Sequence, residues 1–555
     1  MAEDSDKTTE AAEEQGSAAE LEGGSYEVIA ARLVEQAKEL GRRTEALNER
    51  RQAVFGGTEL AVVANERVRT ENNCTPRDIV QVGGRLVFGY NVFLGLRTET
   101  ALSDVFSLHK FEPKEDGSVD LSAIPLEEGG AGFLADPTFV EHFHELYRFY
   151  KEARLIQLSR SETKLLAVWQ IGGELTDVRV ARWTLAPDDS ARYVDNRGER
   201  DYEFPPQHDF EWTVLTREDQ ISGDYPHMSI RDKVFVETTG GDLTVKVENN
   251  TASGKGIYAE PVDDQYQTLD DAQFQYREVG PLIIMRILPY REERWRYLVF
   301  CSRTEKVVRI DAIGKACRSL PEDHGIIFPG GYFLQDGQYK VFDGDYGEFE
   351  FHRAVRSPNG EDVLYVFHER RDGRYALFPY NLIRREVGTP IQCSGYSLFP
   401  DGKMVVFRYD SDEPTRVHPM QVWATPFVSD EHAAAAPDAA GFLGKVGNAE
   451  LVRGISDCLS VRRFIIDQRP SRTVYEDLIT NCTRIIDAYY WLSDQAEVGD
   501  LKSVLAEIRG TGELIVDEFE KVVAIKRQAS EALAQAAEAQ EKLIRGLRPD
   551  SWERV

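Results

Sequence analysis

Apolar residues recur at alternating intervals of four and three near the start of the chain, which is the spacing of a coiled-coil seam. The pattern begins at Tyr26, directly after a Ser25 that suits a helix N-cap, and it stops before Gly56, a residue typical of helix ends. We therefore predict a helix over residues 25–57 with a coiled-coil-like seam. A single long helix packed on a globular body explains the same spacing. The seam residues are Leu33, Leu40 and Leu47.

The same spacing returns near the end of the chain, from Ile515 to Leu547. Two polar residues, Lys526 and Gln540, stand at seam positions, where polar side chains can fix the register of paired helices. These helices are predicted to pair with each other or with another chain. The abrupt end of the second seam at Pro549 also predicts a truncated or split protein. Its seam residues include Phe519, Val522, Leu533 and Leu543.

Between the two seams the sequence consists of short runs rich in Val, Ile, Phe, Tyr and Trp, which favour β-strands. Three Asp-Gly pairs punctuate these runs, and Asp-Gly favours the tight turn of a β-hairpin. They stand 36 and 29 residues apart, whereas propeller blades usually recur about every 40–50 residues. One helical interruption is predicted over 137–154 from the spacing of its aromatic residues. The Asp-Gly pairs are Asp336-Gly337, Asp372-Gly373 and Asp401-Gly402.

These patterns predict a mainly β protein: a β-propeller-like domain of about six or seven blades, flanked by α-helical and coiled-coil segments. We place the propeller-like domain at 80–428, a linker rich in Ala, Asp and Pro at 429–441, and a helical region at 442–555. The short and uneven turn spacing leaves a β-sandwich or a split sheet open.

The net charge of −29 limits the kinds of partner that the chain is expected to bind. Such a surface repels nucleic-acid phosphates, whose binding requires clustered Lys and Arg, and no such cluster occurs. Direct nucleic-acid binding is therefore not expected. Part of the charge lies in residues 1–24, which have few apolar residues and are predicted to be a disordered acidic tail.

Cysteine usage and hydropathy predict a cytoplasmic protein. The six cysteines are far apart and form no Cys-x-x-Cys pair, which suits free thiols in a reducing compartment. The chain has no run of 18 apolar residues, so we predict no membrane span. The acidic N-terminus lacks the apolar region of a signal peptide.

The loop Asn249–Gly256 is the nearest match to a nucleotide-binding P-loop. A P-loop requires a glycine five positions before its Gly-Lys pair and a Ser or Thr after the lysine. Asn249 and Gly256 occupy these two positions around Lys255. We therefore interpret the segment as a tight loop between strands, and we predict no cofactor site in this chain.

Three further motifs fall short of a site, so we predict no metal-binding or catalytic residue. Asp343–Glu348 resembles a calcium loop but departs from the EF-hand pattern at Gly347. His142 and His144 point in different directions on a helix and cannot form a zinc pair. Ser397 lacks the second glycine of a nucleophile elbow.

Paired carboxylates keep one enzymatic alternative open. Asp263-Asp264 and Asp270-Asp271 could act as acid and base in a propeller hydrolase of glycans. Exposed turn acids explain the same pairs.

The stretch from Val245 to Phe342 carries the most distinctive motifs of the chain. They resemble the N-terminal domain of a family of large bacterial proteins known as DNA repair ATPases. The motifs are Val247–Thr251, Gly254–Asp264, Gln267–Ala272, Tyr297–Phe300, Arg309–Gly314 and Leu320–Tyr332.

The resemblance implies a long coiled coil and an AAA-type ATPase module, which would hold ATP and magnesium and which this chain lacks. On that basis we expect a non-catalytic docking or regulatory module that binds protein partners and transmits or dimerises through its coiled coils, as a possible homo-oligomer. A family-level alternative is membrane-stress work beside ESCRT-like coiled-coil proteins. The candidate partner contacts, in a loop rich in Pro and Gly, are Glu322, Asp323 and His324.

Overall fold

The computed structural model of the protein describes residues 25–57, 60–93, 99–113, 119–127, 133–188, 190–409, 411, 413–435, 439–467, 470–492 and 496–547. The predicted acidic tail over 1–24 lies outside these residues. The described residues form two units: a helical unit from both ends of the chain, and a β unit within residues 57–437.

Eight α-helices occur in the described residues, most of them in the helical unit. No described helix is long and apolar enough to cross a membrane. The helices are α1 (Ser25–Phe55), α2 (Leu102–Val105), α3 (Pro137–Phe149), α4 (Asp430–Ala434), α5 (Gly441–Val446), α6 (Asn448–Asp467), α7 (Arg472–Ala488) and α8 (Leu501–Leu547).

The first seam packs inside the helical unit. Leu33, Leu40 and Leu47 on α1 are buried, and α1 contacts α6 and α8. Its polar members are buried as well: the Thr44 hydroxyl donates to the Leu40 carbonyl at 2.7 Å, and Arg51 Nη1 donates to Asn448 Oδ1 at 3.0 Å. The helices at the two ends of the chain therefore pack against each other.

The last helix is longer than predicted. The seam predicted a helix from Ile515 onward, but α8 begins at Leu501 and runs unbroken through Gly510 and Gly512. A glycine inside a helix costs only about 1 kcal/mol relative to alanine, and the buried neighbours Ile508 and Ile515 outweigh that cost. Helices α5 and α6 were missed individually within the predicted helical region.

The second seam is buried in only one half of α8. Phe519 is buried and its ring lies 6.3 Å from that of Tyr26. Leu533 and Leu543 are 73% and 66% exposed. The Val522 side chain lies outside the described residues. The far half of the predicted seam therefore meets no other part of the described chain.

The β unit consists of antiparallel strands in successive meanders, which confirms the prediction of a mainly β chain with helices at the ends. Its first six strands are β1 (Ala61–Val82), β2 (Arg85–Val92), β3 (Phe106–Lys110), β4 (Glu112–Pro113), β5 (Val119–Asp120) and β6 (Ala123–Ile124). The next ten are β7 (Arg154–Arg160), β8 (Lys164–Gln170), β9 (Val178–Leu185), β10 (Ala191–Asp195), β11 (Thr213–Val214), β12 (Gln220–Ile221), β13 (His227–Ile230), β14 (Val234–Glu237), β15 (Asp242–Lys246) and β16 (Tyr258–Pro261).

The remaining strands continue the same pattern. They are β17 (Gln273–Val279), β18 (Leu282–Leu288), β19 (Arg296–Cys301), β20 (Lys306–Arg309), β21 (Arg318–Ser319), β22 (Gly325–Phe328), β23 (Gly331–Leu334), β24 (Tyr339–Val341), β25 (Glu350–Arg356), β26 (Asp362–Glu369), β27 (Arg374–Asn381), β28 (Glu386–Val387), β29 (Ile391–Leu398), β30 (Lys403–Arg408) and β31 (Thr415–Ala424).

Four sheets each hold one meander: β7–β10, β12–β16, β17–β20 with β11, and β21–β24. An eleven-stranded sheet has the order β25-β26-β27-β29-β30-β31-β1-β2-β3-β6, with β28 paired to β27, and β4 and β5 pair as a separate two-stranded sheet. The beginning and the end of the β unit therefore share one sheet.

The long strand β1 makes this connection. Its first part, Ala61–Arg69, pairs with β31, and its second part, Cys74–Val82, pairs with β2. The predicted β region began only at Val80, because the first part of β1 is polar and mostly exposed. Such a strand is held by backbone pairing with its neighbour rather than by an apolar face, so its sequence carries a weak strand signal.

The three predicted Asp-Gly hairpins are confirmed. They join β23 to β24, β26 to β27 and β29 to β30. Gly337, Gly373 and Gly402 have φ of 91°, 68° and 83°, the left-handed region that these turns require. The predicted helical interruption is also confirmed as α3, which begins at the Asp136 N-cap.

Candidate functional site

A cavity of about 620 Å³ lies within the β unit. Strands β1, β7, β25, β27 and β29 supply its walls, so residues far apart in sequence meet there. Sequence patterns singled out none of them as a site. The polar side chains on which its chemistry depends are Asp78, His352, Arg353, Tyr375 and Tyr396.

Asp78 is a buried carboxyl on β1. Its Oδ1 accepts from the Ile79 amide at 2.8 Å, and its Oδ2 accepts from the Leu158 amide at 2.8 Å and the Tyr375 hydroxyl at 3.0 Å. Burial raises the pKa of Asp78 to about 7, against the opposing effect of these hydrogen bonds and of Arg353. The carboxyl links three strands and titrates near neutral pH.

Like Arg160 on β7, Arg353 on β25 lines the cavity. Its Nε donates to the Tyr396 hydroxyl at 2.6 Å, and its guanidinium lies 5.1 Å from the centre of the Tyr396 ring. The side chain is accessible to solvent, yet protein surrounds it closely enough that desolvation is the largest influence on its pKa. The pKa is nevertheless raised, because Tyr396, Tyr375 and Asp78 favour the cation. Arg353 is therefore a permanent cation on the wall of the cavity.

Two histidines beside this cation are neutral. Burial and the nearby Arg353 lower the pKa of His352 to about 3. His368 is buried and stacks on the Tyr375 ring with a centroid distance of 4.2 Å, and burial lowers its pKa well below the usual value. Neither histidine supplies charge near pH 7, and the stacking fixes one face of Tyr375.

These residues place a carboxyl, a guanidinium and two phenols around one cavity. Asp78 has a pKa in the range used for proton transfer, but it already accepts three hydrogen bonds from groups of the fold. Within the described residues, no group of His, Cys, Asp and Glu side chains is placed to hold a metal ion.

The loop Asn249–Gly256 joins the antiparallel strands β15 and β16, as predicted. Lys246, and not Lys255, occupies its interior: the buried ammonium donates to Glu237 Oε2 at 3.0 Å and to the carbonyls of Asn250 and Ser253 at 3.1 and 2.6 Å. The loop thus turns carbonyl oxygens inward, where a P-loop would offer amides to phosphate.

Gly256 gives a second reason to reject a P-loop. A β-carbon at this position would collide with the Val245 carbonyl oxygen. The hydroxyl residue that holds magnesium in a P-loop therefore has no room here.

The predicted partner contacts separate in the structure. Glu322 and Asp323 are exposed, with φ of 56° and 52° in a tight turn before β22. His324 is 3% exposed, and its Nδ1 lies 2.6 Å from the Tyr380 hydroxyl. This burial corrects the prediction for the His324 side chain, which is not available to a partner, whereas Glu322 and Asp323 stay predictions.

The paired aspartates that were considered as a hydrolytic acid and base make local structural contacts. Asp270 forms an exposed ion pair with Arg217 at 3.2 Å. Asp271 accepts from the Thr268 amide and hydroxyl at 2.8 and 2.7 Å, which caps a short turn. Asp264 pairs with Arg291 at 3.2 Å.

Residues of the other candidate motifs also lie in ordinary structural positions. His142 Nδ1 lies 2.8 Å from the Tyr193 hydroxyl, while His144 on the same helix is exposed. Ser397 is a buried residue of strand β29. Asp345, in the predicted polar turn, lies 3.7 Å from Arg374.

Comparison with known families identifies a match over residues 39–490, to the family described as "ATPase involved in DNA repair". The chain belongs to this family. The match begins within α1 and ends before α8. It confirms the family resemblance drawn from the motifs between Val245 and Phe342. A search of curated proteins found no match.

Solved structures give only distant similarities. Core factor of S. cerevisiae is 7% identical, with a TM-score of 0.22 over 78% of this chain and 73% of that one. A post-proline cleaving enzyme from Rickettsia typhi is 10% identical, with a TM-score of 0.22 over 73% of this chain and 58% of that one. An oligogalacturonate lyase in complex with manganese is 11% identical, with a TM-score of 0.15 over 46% and 70%. These TM-scores are too low to assign a shared fold.

The buried lysine yields a test of the loop's construction. Lys246→Met should destabilise the β unit by about 3–5 kcal/mol, because Glu237 would be left buried and unpaired. Lys255→Ala, directly before the last residue of the same loop and exposed, should change the free energy of unfolding by less than about 0.5 kcal/mol. Urea denaturation of both variants measures the difference, and equal effects would contradict the structure.

Asp78 yields a test by pH. Its folded pKa of about 7 exceeds the unfolded value of about 3.9, so the unfolded state ionises first and stability falls as pH rises between these values. Asp78→Asn keeps a similar shape without a titrating group. Between pH 5 and pH 8 the natural protein should lose on the order of 2 kcal/mol relative to this variant.

Thermal unfolding at several pH values makes this measurement, with the exposed Asp343→Asn as the control. The control should follow the natural protein at every pH. Parallel pH profiles for the natural protein and Asp78→Asn would show that this carboxyl ionises normally in the fold.

Proposed function

We propose that this chain is a non-catalytic docking and regulatory module that works with the ATPase named in its family description. It binds protein partners through a propeller-like β unit and assembles through its last helix. ATP and magnesium belong to a separate AAA-type module in this proposal. The six cysteines are all unpaired and buried, which fits the reducing cytoplasm where we place it.

Strand topology supports the propeller-like arrangement. Four separate sheets each contain one meander. The eleven-stranded sheet divides into three more: β25–β28, β29–β31 with the first part of β1, and the second part of β1 with β2, β3 and β6. We infer seven blades, with β1 joining the last blade to the first.

The cavity supports the same inference. β7, β25 and β29 each begin a meander, and all three line this one cavity. The first strands of successive blades surround a common centre in a propeller. Its loops then offer a broad, rigid surface for partners.

The observation that carries the docking role is the exposed half of α8, residues 521–547, which we call the arm. Its large apolar side chains are exposed where the first half of the same helix is buried: Ile525 64%, Leu533 73%, Leu543 66% and Ile544 49%. An apolar stripe of this kind on an exposed helix is typical of a surface that pairs with another helix.

We propose that the arm pairs with the arm of a second copy. The positions that flank a coiled-coil seam usually carry charges that select the partner. Here they are apolar or small, with Ile525, Ala532, Ala539 and Ile544 among them. These flanking positions therefore add no like-charge repulsion between two copies.

Apart from Lys526, which stands at a seam position, the charged residues of the arm stand at positions on its outer face. Lys542 and Glu538 form an ion pair at 2.6 Å along the helix there, and Arg527 and Glu531 lie 3.9 Å apart. These pairs support the helix itself and leave the apolar side for association.

Leu533→Glu with Leu543→Glu tests the arm, because both side chains are exposed and their replacement should not disturb the fold. Gln528→Glu with Gln535→Glu adds the same charge on the outer face and is the matched control. Sedimentation velocity between about 1 and 100 μM, the range of moderate affinities, should show self-association of the natural protein and the control. The seam variant should associate at least about tenfold more weakly.

A natural protein that stays monomeric over this range would contradict pairing of the arm. So would equal weakening by the control, since that would assign the effect to net charge.

A further inference from the structure

Arg353 lines the cavity, and its guanidinium has no ion-pair partner among the described residues. Of its nitrogens, only Nε makes a hydrogen bond, to the neutral Tyr396 hydroxyl. Asp78 and Glu162 also line the cavity, but neither carboxylate forms an ion pair with Arg353. A guanidinium on a cavity wall whose outer nitrogens make no hydrogen bond to the described residues offers a position for an anion.

We propose that the cavity binds a small ligand through an oxyanion group, a carboxylate or a phosphate, held by the guanidinium of Arg353. This site is distinct from the arm, and the proposal does not depend on the arm's pairing. A guanidinium presents a planar fork of donors that matches both oxyanions and can bind them with two parallel hydrogen bonds.

The fold holds this cation ready for a ligand. Arg353 Nε is fixed by Tyr396, and Tyr375 is fixed by its hydrogen bond to Asp78 and by the stacked ring of His368. A group whose side-chain position is set in advance loses less conformational freedom on binding. The same contacts leave the guanidinium Nη groups without a hydrogen bond from the described residues.

The volume of the cavity and the side chains of its walls limit the class of ligand that it can bind. A cavity of about 620 Å³ falls within the range of about 300–1,000 Å³ typical of small-molecule sites. Tyr375, Tyr396 and the neutral His352 supply aromatic surface beside the cation. We therefore expect a compact organic anion.

Arg353→Met in the full chain tests the proposal, with citrate and inorganic phosphate as separate probes at constant ionic strength kept by sodium chloride. Titration calorimetry and thermal unfolding should detect at least one probe on the natural protein. Arg353→Met should weaken that probe at least about tenfold, the effect of losing hydrogen bonds to a charged group. Binding of citrate alone would indicate a carboxylate ligand, and binding of phosphate alone a phosphate ligand.

Arg356→Met is the matched control, because this arginine is exposed on the same strand and lies outside the cavity. It should leave probe binding unchanged. Arg353→Lys keeps the charge without the fork, so it should fold and bind at least severalfold more weakly even if Arg353→Met is unstable. The proposal fails if neither probe stabilises the natural protein more than sodium chloride does. It also fails if all three variants bind the probes as tightly as the natural protein does.

Discussion

The β unit depends on the double pairing of one strand, β1. Residues Ala61–Arg69 pair with β31, and Cys74–Val82 pair with β2, so the same strand joins the last meander of the unit to the first. Each backbone hydrogen bond adds only about 0.5–1.5 kcal/mol net, but a strand pairs along its whole length. This pairing removes two free sheet edges, which would otherwise invite aggregation.

The same strand brings the cavity together. Asp78 stands in the second part of β1 and accepts hydrogen bonds from the Leu158 amide on β7 and the Tyr375 hydroxyl on β27. A carboxyl buried in this way costs free energy unless donors surround it, and the raised pKa of Asp78 reflects that cost. The strand that joins the two ends of the β unit therefore also supplies the buried carboxyl of the cavity that Arg353 lines.

Short motifs in the sequence were enough to predict the local structure that they form. The Asp-Gly pairs at Asp336, Asp372 and Asp401 predicted three hairpins correctly, because a short turn with a glycine at positive φ is decided by its own backbone. The first part of β1 was missed, since its polar residues are stabilised by a partner about 350 residues away. The cavity was missed for the same reason: Tyr375 and Tyr396 read only as strand residues. A charged Asp78 beside the apolar Ile79 and Val80 was the one signal in the sequence that could have marked it.

Hydrogen exchange of the peptides from β1 tests this account most directly, because exchange reports how strongly each amide is held in the folded chain. The account predicts that Ala61–Arg69 and Cys74–Val82 are both protected, to the same degree as β31 and β2, their partners. Rapid exchange of Ala61–Arg69 with β31 still protected would contradict it, since the strand would then not join the two ends of the β unit.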